Sequence, residues 1–252
     1  EELRNKGVEL VLGTEVRKLR GREGKLEEIE TADGVYPVSM ALIDVGITPN
    51  TLLAVNSGIP LGISGAILVD ERGQTRIRQI YAAGNCAETT HLASGKPIFS
   101  ALGTSAAKQG RVVGENLAGR NSLFGGTLET SVEKIFDLAV ARTGLTSTQA
   151  FRNGFRSDSV KVTHRNHADY YPGSREMHVK LIFNRDSGRL LGGQIIGDDS
   201  ASKRIDTLVA AVTARMTLQD ISHLDLVYAP PYGTLWDPIQ IAANLGLRKL
   251  NN

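Results

Sequence analysis

Cysteine is almost absent from this sequence, since its 252 residues contain one, Cys86. One thiol cannot form a disulfide within the chain, and it excludes a cysteine-rich metal site. No second cysteine stands near it to form a redox pair, so we expect Cys86 to be a buried structural thiol. A chain that uses no disulfides is typical of the reducing cytoplasm, and we expect a cytoplasmic protein.

Long apolar runs and an excess of one charge are missing as well. No stretch approaches the roughly 20 apolar residues of a membrane-spanning helix, and the first residues lack the apolar core of a signal peptide. Lys and Arg number 29 against 27 Asp and Glu, which leaves a net charge of +2. So small a surplus gives no basic surface for nucleic acid or an anionic membrane, and we expect neither as a partner.

Metal ligands are equally sparse. The chain has five histidines. Of these, His164 and His167 stand close in sequence, but in a strand-to-loop stretch their spacing does not put them on one face. No third ligand accompanies them, so we expect no metal site.

The remaining composition is that of an ordinary globular protein, with 41% hydrophobic and 22% charged residues. The length allows two compact units with cores of their own. Residues 1–6 indicate the end of a helix that Gly7 stops, so a motif is already under way at the first residue. We therefore expect the chain to be the later part of a longer protein.

The first half of the chain has the pattern of an α/β protein. Residues 38–46 are nearly all apolar, as in a strand that is buried on both faces. Residues 102–117 combine small residues with a later apolar stripe and predict a helix. The Gly-bearing segment 119–126 is the best candidate for a domain boundary. Further strands are predicted at 8–12, 66–70 and 80–83, and a hairpin is predicted from strands at 15–19 and 26–31.

The second half favours an α+β domain, with strands on one side of several helices. Capping boxes at Thr146 with Gln149 and at Thr217 with Asp220 predict two helix starts. Pro238 suits the first turn of a last helix through residue 245. A further helix is predicted from apolar residues at helical spacing, which are Ile205, Leu208, Val209 and Val212. The predicted strands lie within 131–142 and at 159–163, 177–184 and 190–196.

The segment 79–88, QIYAAGNCAE, carries the clearest sign of a ligand. Two β-favouring residues lead into a small-residue turn that ends in Gly84, and Asn85 follows directly. Small residues let a backbone pass close to a ligand, and the Asn side chain can supply a polar contact. The alternative is that Asn85 only caps a turn.

This segment resembles the second flavin-binding fingerprint of the FAD/NAD(P)-dependent pyridine nucleotide-disulfide oxidoreductases. That fingerprint usually reads Thr, a few residues, and then Ile-Tyr-Ala-Ala-Gly-Asp. Thr75 stands at the Thr position, whereas Asn85 replaces the Asp. The nearest branch is the coenzyme A-disulfide reductase and NADH oxidase group. Other motifs stand in the family's order, namely VGITPN at 45–50, LGTSAAKQGR at 102–111, TGLT at 143–146, YYPG at 170–173, KRID at 203–206 and YAPPY at 228–232.

The resemblance implies three pieces. Residues 1–47 would end an NAD-binding domain, residues 48–124 would be the C-terminal part of an FAD-binding domain, and residues 125–252 would form an α+β dimerisation domain. It therefore implies a homodimer that binds FAD and uses NAD(P)H. The family's first Gly-x-Gly-x-x-Gly, its redox cysteine and its NAD glycine motif precede these segments, so we expect this chain alone to be inactive.

The resemblance also implies which residues meet the cofactor. Asn85, just after Gly84, would accept a hydrogen bond from the ribityl chain of FAD, and its neutral amide would bind less strongly than the family's carboxylate. The start of the 102–117 helix would face the flavin pyrimidine with free N–H groups and a positive helix end. An ordinary buried helix start is the alternative. The residues at that start are Leu102, Gly103, Thr104 and Ser105.

Tyr170 and Tyr228 stand at motif positions whose tyrosines, in coenzyme A-disulfide reductases, reach the active site of the partner subunit. By that resemblance both would be catalytic. A phenol can donate a hydrogen bond or a proton to a sulfur that leaves as a thiolate. Equally, two amphipathic rings can pack at a dimer interface without any chemistry.

Lys203 and Arg204 begin a predicted helix, which is the unfavourable end for cations. Two explanations stay open. They are either a solvated pair, or the partners of an acidic group across the dimer or of coenzyme A phosphates.

Two functions remain open as well. In the first, the whole protein passes a hydride from NAD(P)H to FAD and electrons through a cysteine to a disulfide such as coenzyme A disulfide, a persulfide, a peroxide or oxygen. This chain would then supply part of the FAD pocket and the dimer interface. In the second, the chain is a non-catalytic dimerisation or interaction module that keeps the fold, and the replacement at Asn85 favours it slightly.

Overall fold

The computed structural model describes residues 1–251 and divides into two compact units, the first being Glu1–Ile47 and the second beginning at Thr48. The first unit holds α1 (Glu2–Asn5) and a three-stranded antiparallel sheet in the order β1-β2-β3. Its strands are β1 (Val16–Arg22), β2 (Lys25–Thr31) and β3 (Val35–Pro37). The predicted hairpin is confirmed by β1 and β2, which pair antiparallel.

Two predicted strands of this unit are wrong. Segments 8–12 and 38–46 contain no strand, and no described strand pairs with either of them. Their apolar side chains are open to solvent, with Leu42 96% and Val45 90% exposed. An apolar run becomes a strand only where a neighbouring strand takes its N–H and C=O groups, and residues 1–251 offer these segments no such neighbour.

The second unit begins with short elements around one long helix. These are α2 (Leu52–Asn56), a two-stranded sheet of β4 (Glu88–Thr90) and β5 (Pro97–Phe99), and α3 (Gly103–Leu117). The helix predicted at 102–117 is confirmed, with Leu102 as its N-cap. The strands predicted at 66–70 and 80–83 are reduced to isolated bridges, which join Ile67 to Leu61 and to Ala87, and Gln74 to Tyr81. Isolated bridges do not make a ladder, because these segments find single partner residues instead of a partner strand.

A five-stranded antiparallel sheet with helices follows, in the strand order β6-β7-β10-β9-β8. Its elements are β6 (Ser131–Ile135), β7 (Leu138–Gly144), α4 (Ser147–Arg152), β8 (Ser157–Arg165), β9 (Glu176–Asn184), β10 (Leu190–Gly197), α5 (Ala201–Thr213), α6 (Leu218–Ser222) and α7 (Pro238–Leu250). All neighbouring strands of this sheet run antiparallel. The predicted α+β arrangement is therefore confirmed.

Side-chain caps define where α4, α6 and α7 begin, whereas α5 has none. The predicted capping boxes are both present, with Thr146 opening α4 and Thr217 opening α6. A third box, in which Asp237 caps α7 and Gln240 reaches back to it, is one that the sequence analysis missed. Pro238 occupies the first turn as predicted, but α7 continues to Leu250, beyond the predicted end at residue 245.

The core lies between this sheet and its helices. Helix α5 packs on β7 and β10, and α7 packs on β8 and β9. The predicted apolar stripe of α5 faces that core, with Ile205, Leu208 and Val212 buried and Val209 partly buried. Each large apolar side chain removed from water stabilises the fold by about 1.5–3 kcal/mol. The largest fully buried side chains include Phe183, Met177, Leu181, Ile182, Leu190, Leu191 and Ile195.

Glycine at position 192 is required because β10 passes directly under the chain that leaves β7. A Cβ at Gly192 would overlap the backbone of Leu145, whose N–H donates to the Leu191 oxygen at 2.9 Å. We predict that Gly192→Ala lowers the free energy of unfolding by about 1–3 kcal/mol, as overpacked cores do. Chemical denaturation of this chain measures it.

Gly110→Ala is the matched control, because Gly110 is exposed in α3 and a Cβ there would meet nothing within 4 Å. In a helix the same change is neutral or stabilises by up to about 1 kcal/mol. Equal denaturation midpoints for the two variants would contradict the close approach at Gly192.

Candidate functional site

The fingerprint turn, residues 79–88, lies against α3. Gly84 adopts φ of +83°, in the left-handed region that favours glycine. Its N–H donates to Oε1 of the buried Gln109 at 2.8 Å, and a Cβ on Gly84 would stand 3.5 Å from the Cβ of Ala106. This hydrogen bond fixes the turn to the side of the helix.

Thr75 holds the chain where it enters this turn. The residue is 6% exposed, and its backbone N–H donates to the Ile80 oxygen at 2.9 Å. Its hydroxyl donates toward the same oxygen at 3.0 Å and accepts from the N–H of Ile77 at 3.1 Å. The Thr of the fingerprint therefore has a structural task here, since it closes residues 75–80 into a fixed bend.

Asn85 points outward from the turn. Its side chain is exposed and makes no hydrogen bond with the residues that the structure describes. The turn is closed by the backbone alone, through the Ala87 N–H and the Gly84 oxygen at 3.0 Å. The amide of Asn85 is therefore available to a ligand.

Cys86 is half-buried, where the sequence analysis expected full burial. Its thiol donates to the Ala83 oxygen at 3.5 Å. The residue sits on the rim of the turn, so only part of its surface is covered.

The start of α3 is uncapped. Leu102 has an extended backbone and supplies no side-chain cap, while Gly103 and Thr104 are exposed. The first N–H groups of this 15-residue helix thus lack a side-chain partner at its positive end. Ser105 differs, because it is buried and its hydroxyl donates to Oγ1 of Thr127 at 3.1 Å. Ser105 can therefore offer a ligand only its N–H.

These features can receive a ligand that presents a hydroxyl to Asn85 and an electron-rich edge to α3. The residues predicted for FAD fit such a ligand, with the exception of the Ser105 hydroxyl. Among residues 1–251, no group of three His, Cys, Asp or Glu side chains is placed to hold a metal ion. None of the described helices has the length and apolar character that a membrane crossing requires.

A second group of predicted site residues lies on two loops of the sheet-and-helix part. We call residues 166–175, between β8 and β9, the first tyrosine loop, and residues 223–237, between α6 and α7, the second tyrosine loop. Tyr170, on the first, is 73% exposed, and Tyr228, on the second, is 44% exposed. The Ala168 N–H donates to the Pro230 oxygen at 3.3 Å, which joins the loops directly.

The structure brings the two phenols together. Hydrogen bonding with Tyr228 is the main cause that raises the pKa of Tyr170 above its ordinary value, and the negative charge of Asp169 acts in the same direction. Tyr228 therefore favours the protonated form of the Tyr170 phenol. Tyr171 packs edge-on against His167 at 5.9 Å between ring centroids.

Arg204, which the sequence singled out together with Lys203, belongs to this site. Its side chain is 13% exposed and pairs with Asp237 of its own chain at 3.0 Å, so the solvated explanation is wrong for Arg204. Partners across the dimer or on coenzyme A stay a prediction. Lys203 fits the explanation of a solvated cation, since its side chain is 87% exposed and its ammonium lies 3.7 Å from the Asp206 carboxylate. The unfavourable position of Arg204 in the first turn of a helix was the signal in the sequence, but its partner Asp237 was not predicted.

Comparisons with known proteins agree with the motifs. Residues 1–110 match the sequence profile described as pyridine nucleotide-disulphide oxidoreductase, and residues 131–237 match that of the dimerisation domain of the same family. An NAD(P)H sulfur oxidoreductase (CoA-dependent) of Pyrococcus furiosus is 37% identical over 97% of this chain and 55% of its own length. A coenzyme A disulfide reductase of Staphylococcus epidermidis is 28% identical over 96% of this chain and 54% of its own length.

Solved structures give the same result. An NAD-dependent persulfide reductase from A. fulgidus matches with a TM-score of 0.95 and 39% identity, over 99% of this chain and 46% of that one. A reduced CoADR-RHD from Bacillus anthracis matches with a TM-score of 0.93 and 35% identity, over 99% of this chain and 44% of that one. The chain spans about half the length of the curated relatives it matches.

The contact between the phenols can be tested in this chain. We predict that Tyr228→Phe lowers the pKa of Tyr170 toward the ordinary value near 10, because the hydroxyl that favours the protonated form is removed. NMR titration of ¹³C-labelled tyrosines measures the change. Tyr36→Phe, in β3, is the control and leaves the Tyr170 titration unchanged. An identical Tyr170 titration in the Tyr228→Phe variant would show that the phenols do not interact.

Proposed function

Since this chain belongs to the pyridine nucleotide-disulphide oxidoreductase family, we propose that it is part of a flavin-dependent NAD(P)H oxidoreductase. In the whole enzyme it supplies one wall of the FAD pocket and the surface through which two subunits pair. Residues 1–47 end the NAD-binding domain, residues 48–124 return the chain to the FAD-binding domain, and residues 125–252 form the dimerisation domain. The single cysteine suits an enzyme of the reducing cytoplasm.

The exposed apolar residues of the first unit support this arrangement. Met40, Leu42 and Val45 are each more than four-fifths open to solvent in this chain. A soluble domain rarely leaves so apolar a stretch uncovered. In the whole enzyme, the rest of the NAD-binding domain would cover it and complete the strand that the composition predicts.

The FAD pocket is where the residues present fit the cofactor. The free amide oxygen of Asn85 would accept a hydrogen bond from a ribityl hydroxyl. The uncapped N–H groups of Gly103, Thr104 and Ser105 would face the flavin pyrimidine, and the positive end of α3 favours negative charge there. When bound, FAD supplies the chemistry that accepts a hydride and passes on its electrons.

The acceptor is proposed to be a small-molecule disulfide or persulfide, of which coenzyme A disulfide is the example. The observation that carries this proposal is the pair of phenols. Tyr170 and Tyr228 are exposed on two loops that a backbone hydrogen bond joins, and Tyr228 raises the pKa of Tyr170. A neutral phenol can protonate the sulfur that leaves as a thiolate when the sulfur–sulfur bond breaks. In the homodimer the two loops would reach into the partner's active site.

A second candidate function is a dimerisation or interaction module without catalysis. The replacement of the family's Asp by Asn85 favours it, because a neutral acceptor holds a hydroxyl less tightly than a carboxylate. A full-length protein that stays colourless with added FAD, and that pairs nonetheless, would establish this alternative.

The Asn85 contact gives the sharpest test of the FAD proposal. In the full-length protein we predict that Asn85→Asp tightens FAD binding about 5- to 10-fold, because a charge-assisted hydrogen bond is roughly twice as strong as a neutral one. Asn85→Ala should weaken binding by a similar factor. Titration of apoprotein with FAD, followed by flavin fluorescence, measures both.

The control is Asn121→Asp, which adds the same charge at an exposed site beyond the other end of α3. It should leave FAD affinity unchanged. If Asn85→Asp and Asn85→Ala bind FAD as the unaltered protein does, Asn85 does not contact the cofactor and the proposed pocket is wrong.

A further inference from the structure

We propose that Arg204 is a positioning residue that locks the two tyrosine loops into one arrangement and thereby sets the reactivity of Tyr170 and Tyr228. This inference rests on the proposed function of the two phenols. Arg204 itself touches neither phenol. It acts through the backbone of the loops that carry them.

The contacts of one guanidinium group reach both loops. Nη2 donates to the Asn166 oxygen, at the start of the first tyrosine loop, at 2.6 Å. The same nitrogen donates to the Tyr232 oxygen, in the second tyrosine loop, at 3.3 Å. Because one planar group makes both bonds, a change in the position of either loop relative to the other breaks at least one of them.

The remaining donors of Arg204 fix the guanidinium itself. Nε donates to Oδ2 of Asp237 at 3.0 Å, and Nη1 donates to Oγ of Ser200 at 2.8 Å. Asp237 is also the N-cap of α7, since its Oδ1 accepts from the Ile239 N–H at 2.9 Å. The end of the second tyrosine loop is therefore tied at once to Arg204 and to the start of α7.

Asn166 closes the first tyrosine loop in a similar way. Its Oδ1 accepts from the N–H groups of His167 and Arg175, each at 2.9 Å, and so joins the two ends of the loop. Its Nδ2 donates to Oδ2 of Asp198 at 2.7 Å. The loop thus has a fixed base beside the carbonyl that Arg204 binds.

Asp198 balances the charge of Arg204 from the other side. Burial alone would raise the pKa of Asp198, but hydrogen bonds from Ser200 and Asn166 and the positive charge of Arg204 outweigh it and lower that pKa. Two carboxylates, Asp198 and Asp237, therefore compensate a cation that stands at the unfavourable end of α5. The contacts of Arg204 with both loops explain why a cation with a mostly covered side chain stands at this position.

The test uses the full-length holoenzyme with Arg204→Gln, Arg204→Lys and the control Lys203→Gln. Glutamine cannot bond both loops and carries no charge, so we expect kcat to fall about 10- to 100-fold, as misplaced reacting groups cause. KM for NAD(P)H and the flavin spectrum should not change, because Arg204 touches neither site. Lysine restores the charge but not the several N–H donors of the planar guanidinium, so Arg204→Lys should recover only part of kcat. Lys203→Gln should match the unaltered enzyme.

The pKa of Tyr170 distinguishes a positioning role of Arg204 from a purely structural one, because loss of stability alone would leave that pKa unchanged. In Arg204→Gln the Tyr170 pKa should fall toward its ordinary value, as in Tyr228→Phe, because the phenols separate. A folded Arg204→Gln enzyme with unchanged kcat and an unchanged Tyr170 titration would overturn the proposal.

If Arg204→Gln does not fold, Asp237→Asn decides in its place, since Asn keeps the α7 cap and removes the ion pair. It too should lower kcat and the Tyr170 pKa, and unchanged values would overturn the proposal.

Failure of the proposed function gives a different result. If Tyr170→Phe and Tyr228→Phe keep full kcat, the phenols have no part in the reaction, and the catalytic consequence of Arg204 falls with them. If those variants lose activity while Arg204→Gln keeps it, the phenols act and Arg204 does not position them.

Discussion

Packing of α5 onto β7 and β10 is the contact on which the second half of the chain depends. Burial of Ile205, Leu208 and Val212 fixes the helix to the sheet. The first turn of the same helix then presents Arg204 between two loops that leave other strands and helices. The buried apolar face of α5 thus sets the position of Arg204, and Arg204 sets the position of the two tyrosine loops. The exposed phenols can hold a fixed arrangement because a rigid core lies one layer below them.

The proposed wall of the FAD pocket, formed by the fingerprint turn and the start of α3, is held in place by fewer contacts. One hydrogen bond, from Gly84 to Gln109, fastens the fingerprint turn to the side of α3. The bend closed by Thr75 leads the chain into that turn. These internal bonds leave the Asn85 amide and the first N–H groups of α3 without partners in the described residues. Unused polar groups on a fixed backbone are what a cofactor needs from the wall of its pocket.

Sequence analysis succeeded where local chemistry decides the structure. Thr146 and Thr217 carry their own capping partners three residues on, so those helix starts were predictable. It failed where a distant partner decides. The apolar run 38–46 lacks a neighbouring strand in the described chain, and composition alone does not supply one. The partners of Arg204 within the chain were not predicted, because Asn166, Tyr232 and Asp237 are all distant from it in the sequence.

The most direct test of the account asks whether the tyrosines of one subunit serve the active site of the other. Two inactive full-length proteins are co-expressed, one with Tyr170→Phe and Tyr228→Phe, the other with the redox cysteine outside this chain replaced. Random pairing makes half of the dimers mixed, each with one complete site, so the account predicts about a quarter of the full activity. Mixed dimers without activity would show that the phenols act within their own subunit.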